Sequence, residues 1–165
     1  MERSTVPAVL FGSGVSSGPN ETHDIGRQIG AIAVPGIVVA LIGSLGAGKT
    51  QLTKGIAAGL GVTGVVNSPT FILMNEHVGR LRLYHIDAYR LGDAEEAWAA
   101  GILDERQADG VTVVEWADLL DGWLPTQRLE IHLHVPASEP MRRDLRWTAV
   151  GSAHQRLAVG ALGAA

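Results

Sequence analysis

The chain has no cysteine, so it can form neither a disulfide framework nor a thiolate metal site, and its composition suits a reducing compartment. No apolar run approaches the length needed to cross a bilayer. The opening MERSTVPAVLFGSG is too short and too broken in its apolar stretch to act as a signal peptide, and a cytoplasmic protein is expected. Positive charge is not in excess either. The net charge of −4 and pI near 5.8 exclude a domain that binds nucleic acid through phosphate neutralisation alone, although Arg142, Arg143 and Arg146 form a local basic cluster. Internal repeats are absent. What is present is a chain of 165 residues, 46% of them hydrophobic, which is enough for one domain with a sizeable core and too little for two.

Lysine is scarce as well, and its placement is informative. The two lysines are Lys49 and Lys54, and Lys49 falls inside Gly43 to Thr50, GSLGAGKT, a full match to the phosphate-loop pattern G-x-x-x-x-G-K-[ST]. Glycines at 43, 46 and 48 let the backbone curl so that successive N–H groups point at phosphate oxygens. The first turn of the following helix adds its positive dipole end. In such a loop Lys49 reaches the β- and γ-phosphates, and the Thr50 hydroxyl ligates magnesium.

The flanks fit that reading. Val6 to Phe11 reads as a short strand, followed by a Gly, Ser and Pro-rich loop. A helix is expected from the N-cap Thr22, with Ile25, Ile29 and Ile32 at helical spacing, up to Pro35 and Gly36. Ile37 to Ile42, IVVALI, is the continuous β-branched run of a strand buried on both faces of a parallel sheet. Leu52, Ile56 and Leu60 mark one face of the helix after the loop, closed by Gly61. Phe71 to Glu76 and Leu81 to Ile86 form a hairpin across a turn at 77–80, and Asp93 with Glu96 opens a helix running to Ala100. Val111 to Val114, the alternating Arg128 to Val135, and Leu145 to Val150 read as further strands. A domain at 1–151 is expected, with a helix and tail at 152–165. The fold class is α/β: a single-domain P-loop NTPase, mainly parallel, with an antiparallel hairpin and edge segment.

A phosphate loop needs a carboxylate partner at the end of a neighbouring strand. Glu115 follows VTVV and Asp87 follows LRLYHI, so each emerges at a strand end. Parallel strands would bring Glu115 to the crevice beyond the carboxyl ends. Ser68 and Thr70, on either side of Pro69, are candidates for a switch-like contact with the γ-phosphate or the metal. His132 and His134 share one strand face, a possible chelate pair that reads instead as an exposed face. His85 and Asp87 share a face in any half-exposed strand. Trp98, Trp116 and Trp123 read as packing residues.

GSLGAGKT, NSPTF, HIDAYRL at His85 to Leu91 and VVEWAD at Val113 to Asp118, in this order, resemble the bacterial TsaE (YjeE) family of small P-loop ATPases of tRNA threonylcarbamoyladenosine synthesis. The resemblance covers Thr22 to Val135. It implies that Lys49, Asp87 and Glu115 are the catalytic positions and that Thr50 and Glu115 ligate Mg2+. It implies ATP contacts from Thr22, Gly43, Ser44, Leu45, Gly46, Ala47, Gly48, Lys49, Thr50, Gln51, Ser68 and Thr70, and from Arg142 nearby. Ser44 stands where the family usually has Asp, and Gln51 where it has a second Thr. It further implies that the protein works with two partners, a TsaD-type transferase subunit and its TsaB-type paralogue, meeting tRNA only through the complex.

Two other P-loop readings fit the letters. One is a small-molecule kinase with Arg90 or Arg106 clamping the acceptor; the other is a nucleotide-gated binding module with little turnover. A GTPase would need N-K-x-D, which does not occur.

Overall fold

The computed structural model describes residues 8–67, 74–90, 108–120 and 122–163. Among these, seven strands form one mixed sheet: β1 (Val9–Ser16), β2 (Val38–Gly43), β3 (Met74–Val78), β4 (Arg82–Asp87), β5 (Val111–Glu115), β6 (Arg128–His134) and β7 (Arg143–Val150). Their order across the sheet is β1-β7-β6-β2-β5-β4-β3. The four central strands β6, β2, β5 and β4 run parallel, and β3, β7 and β1 join antiparallel. Three helices accompany them: α1 (Pro19–Ile32), α2 (Lys49–Gly59) and α3 (Ser152–Leu162).

The central strands have the residues that two-sided burial demands. All of β5, VTVVE, is buried, and β2 contributes Val39, Ala40 and Leu41 with no exposure. One sheet face carries Val39, Leu41, Val113, Ile131 and Leu145 against Ile29, Leu52, Ile56 and Leu60 of the helices. Each such side chain contributes roughly 1.5–3 kcal/mol relative to an exposed one. The opposite face of β2, β4 and β5 builds a second cluster from Ala40, Ile86, Val114, Ala117 and Leu120. In β6 the alternation is clean, with Leu129, Ile131 and Leu133 buried and His132 and His134 exposed.

Helix α1 is locked to α2 by glycine. A Cβ at Gly30 would lie 2.1 Å from the Ile56 carbonyl oxygen, and one at Gly59 would lie 2.1 Å from that of Arg27. Gly26 and Gly55 meet the facing backbone just as closely. Each helical glycine costs about 1 kcal/mol against alanine, and here that cost allows two backbones to touch. The seam matters for the site because α1 and α2 both begin there.

Several boundaries differ from the sequence reading. Strand β1 extends to Ser16 through residues expected to form a loop, because it is an edge strand held by backbone pairing from Val9↔Val150 to Ser16↔Arg143. Helix α1 starts at Pro19 with Gly18 as N-cap, so Thr22 is not the cap but a buried residue of the first turn. Glu21 in the first turn accepts from the N–H of Ser17, one residue before the N-cap, at 2.7 Å. The helix stops at Ile32, where the Arg80 guanidinium reaches from the β3–β4 turn to the carbonyls of Gly30 and Ala33 at 2.8 and 3.0 Å. The hairpin forms, but His77 and Val78, expected in the turn, belong to β3 and pair with Leu83 and Arg82, and residues 71–73 lie outside the described residues. The helix expected at 93–100 lies outside the described residues. Helix α3 buries Leu157, Ala158 and Ala161 in the main core, and His154 Nε2 accepts from the Val38 N–H at 3.0 Å.

Candidate functional site

Strand β2 runs out at Gly43, and the chain turns through the loop into α2 at Lys49. Gly46 (φ +79°) and Gly48 (φ +105°) occupy the left-handed region that side chains other than glycine rarely adopt. Gly48 is the N-cap of α2 and has no side-chain cap bond, so the first-turn amides are left facing the cleft. Lys49 is 5% exposed, and its ammonium donates to the carbonyls of Gly43 at 2.6 Å and Ser44 at 2.8 Å. Burial pushes its pKa down, against the opposing pull of the Glu115, Asp118 and Asp87 carboxylates.

The parallel register delivers the carboxylates. Leu41 pairs with Glu115, and Glu115 pairs with Asp87, so both acids stand at carboxyl ends one strand apart. Thr50 Oγ1 donates to Glu115 Oε1 at 2.8 Å, closing the gap between α2 and β5. Asp87 Oδ1 accepts from the Tyr89 N–H at 3.1 Å. Directly after Glu115, Trp116 adopts φ 57°, a costly conformation for a large residue, and this turn lays its indole 4.0 Å from the Lys49 ammonium. Tyr89 packs against it with ring centroids 5.0 Å apart.

These groups enclose a cleft of about 460 Å³. Of the positions expected from sequence, Thr22, Leu45, Gly46, Gly48, Lys49, Thr50, Gln51, Asp87 and Glu115 line it. Thr22 does so with its hydroxyl committed to Ser16 at 2.7 Å. Gly43 and Ser44 serve through the carbonyls that hold Lys49, and Ala47 is buried in the core beneath the loop. Arg142 is not among the residues lining the cleft, and its guanidinium pairs with Asp144 at 2.8 Å and with Glu139. Its neighbour Arg143 lines the cleft instead and donates to the Gly46 carbonyl at 3.2 Å. Arg143 is the first residue of β7, while Arg142 belongs to the preceding turn, its N–H donating to the Glu139 carbonyl at 3.0 Å, so a one-residue misplacement chooses the wrong guanidinium. Ser68, Thr70, Trp98 and Arg106 lie outside the described residues.

Sequence reasoning missed Pro19, Tyr89, Trp116 and Arg143 as lining residues. Trp116 was legible in principle, since it directly follows Glu115, but a tryptophan beside a buried strand reads as packing. His85 is likewise not on a half-exposed strand. It is fully buried, with Nε2 against Glu115 Oε2. His132 pairs with Glu130 at 2.8 Å on the open face of β6, as an exposed strand face would.

The donor chemistry fits a nucleotide with a divalent cation. A hydroxyl and a carboxylate in contact offer hard oxygen ligands, the glycine-shaped loop with its ammonium is a concave anion cradle, and both meet at one cleft. A mixed, centrally parallel α/β sheet with a glycine-rich loop between β2 and α2 is the architecture of the P-loop class.

The match to known proteins is more specific. A family model described as "Threonylcarbamoyl adenosine biosynthesis protein TsaE" matches residues 16–144, and the chain belongs to that family. A relative from Bacillus subtilis (strain 168), named tRNA threonylcarbamoyladenosine biosynthesis protein TsaE, is 44% identical over 140 residues, covering 84% of this chain and 86% of its own. A relative of the same name from Treponema pallidum is 40% identical over 123 residues, covering 74% of this chain and 91% of its own. Among solved structures, that of Bacillus subtilis YdiB superposes with a TM-score of 0.76 at 36% identity, covering 94% of this chain and 96% of that one. The family is one of tRNA threonylcarbamoyladenosine biosynthesis.

Proposed function

We propose that the protein is a magnesium-dependent ATPase required for threonylcarbamoylation of the adenosine beside the anticodon in tRNAs reading codons that begin with A. The observation that carries the reading is the Thr50–Glu115 bridge at 2.8 Å beneath the phosphate loop, with Asp87 in register beside it. In this reading Lys49 leaves its two loop carbonyls to hold the β- and γ-phosphates. The α2 amides and the backbone of Gly46 and Gly48 take the remaining phosphate oxygens. Thr50 and Glu115 hold magnesium, which supplies charge neutralisation on the phosphate oxygens when bound. Asp87 orients water for in-line attack, and Trp116 with Tyr89 walls that end of the cleft.

The partners in this reading are a TsaD-type transferase subunit and a TsaB-type paralogue, and the setting is the cytoplasm. Hydrolysis is weak alone and rises in the complex. An acidic module with pI near 5.8 is suited to that division, because tRNA is met through the partners. The test is single-turnover cleavage of γ-labelled ATP by the purified chain, with and without the two subunits, alongside tRNA modification in cells lacking the protein. Slow cleavage that accelerates in the complex, with loss of the modified base in the cells, is the expected result. Acceptor-dependent ADP release by the protein alone would identify a small-molecule kinase, and bound but uncleaved ATP in the complex a binding module. Unchanged tRNA in the deletion strain would remove the pathway assignment.

A further inference from the structure

Glu115 is held from two sides. Its Oε1 accepts from Thr50, while its Oε2 meets Nε2 of His85, a side chain with no exposure that projects from the adjacent strand β4. The register explains the meeting: His85 pairs with Val113 and Asp87 with Glu115, so His85 sits one step behind the acids on the same sheet face. A carboxylate can only accept, so the bonded Nε2 carries the proton. Nδ1 of the same ring is buried without a hydrogen-bond partner.

Burial without a second partner is a poor use of a histidine if the position needs only volume, since a leucine would fill it without stranding a nitrogen. We infer that His85 is a positioning residue, which fixes the Glu115 carboxylate so that Oε1 stays turned toward Thr50 and the phosphate loop when the divalent cation binds. This rests on the assignment of Thr50 and Glu115 as metal ligands. A partner one bond removed from a ligand typically changes metal affinity about 10- to 100-fold. His85 never touches nucleotide in this account and acts through Glu115 alone.

The test compares His85→Leu, which keeps bulk and removes the donor, with His85→Gln, whose Nε2 reaches a similar place. Binding of Mn2+ to the protein with a non-hydrolysable ATP analogue, followed by electron paramagnetic resonance, is the primary readout. Analogue affinity in EDTA is the control. His85→Leu is expected to weaken Mn2+ binding about 10-fold or more, with His85→Gln restoring most of the loss and the EDTA affinity unmoved in both. Wild-type Mn2+ affinity in His85→Leu, or equal loss in both variants, overturns the inference. If His85→Leu does not fold, the wild type still decides. Long-range 15N–1H spectra should show His85 protonated at Nε2, with its resonance moving when Mg2+ is added to the analogue complex. An unprotonated Nε2, or a resonance indifferent to Mg2+, overturns it equally. Should wild type bind the analogue with no dependence on any divalent cation, the metal assignment itself is at fault rather than the role of His85.

Discussion

The two halves of the sheet are built from similar strands and put to different ends. On one side of β2, the parallel strands β5 and β4 are almost wholly buried, and their carboxyl ends present Glu115 and Asp87. On the other side, β6, β7 and β1 form a wing covered by helices on one face and open on the other, where Phe11 is 62% exposed beside His132, His134 and Arg146. Parallel pairing places successive strand ends at one edge, so chemistry can collect there. Antiparallel pairing in the wing sends alternate ends away from the loop, leaving β7 to contribute only Arg143 to the cleft.

The sharpest way to break this contrast is at the loop itself. Lys49→Ala removes a buried ammonium at the proposed phosphate site, and ATP affinity should fall about 100-fold, corresponding to about 1.5–3 kcal/mol for a charge-assisted contact. Titration calorimetry measures it. A fall of less than about threefold would mean that the loop amides alone hold the nucleotide. Next in size is the helix seam. Gly30→Ala should cost roughly 1–3 kcal/mol through overpacking against Ile56, outweighing alanine's better helix propensity. A thermal melt should show Tm lower by roughly 2–12 °C.

What the sequence made legible divides along the same line. GSLGAGKT, the apolar run 37–42 and the acids after VTVV and LRLYHI could be placed because a parallel core has a strict composition and a fixed active edge. Edge strand β1 could not, because GSGVSS owes its conformation to the backbone of β7 rather than to its own side chains. Arg143 and Arg142 are separated by the boundary between a turn and β7, and sequence spacing alone does not say on which side of it each residue falls. His85 and Trp116 were visible as letters. Their roles depend on which strand lies beside which, and His85 meets Glu115 across 30 positions of chain.

A third test sits where α3 closes the start of β2. Burial pushes the His154 pKa down, and the neutral ring accepts from Val38. The unfolded chain therefore binds a proton at a pH where the folded one does not. Stability from this group is full above the unfolded value near 6.5 and is lost as pH falls below it toward the folded value. Urea unfolding between about pH 8 and 5 should show a steeper decline in wild type than in His154→Gln. Parallel curves would contradict the buried neutral assignment.

The smallest effects separate two adjacent arginines. Arg143→Ala should weaken ATP binding about 3- to 10-fold through loss of its hold on the loop at Gly46. Arg142→Ala, whose guanidinium is occupied by Asp144 and Glu139 at the surface, should leave it within about twofold. The reverse pattern would return Arg142 to the site.

In the proposed function, the meeting of α2 and β5 at Thr50 and Glu115 makes ATP binding metal-dependent. It is tested most directly by measuring the affinity for a non-hydrolysable ATP analogue, in Mg2+ and in EDTA, for wild type and Glu115→Ala. Wild type should bind about 10-fold or more tightly with Mg2+, and Glu115→Ala should lose that gain while keeping the EDTA affinity. A Glu115→Ala protein that retained the full Mg2+ gain would contradict the claim.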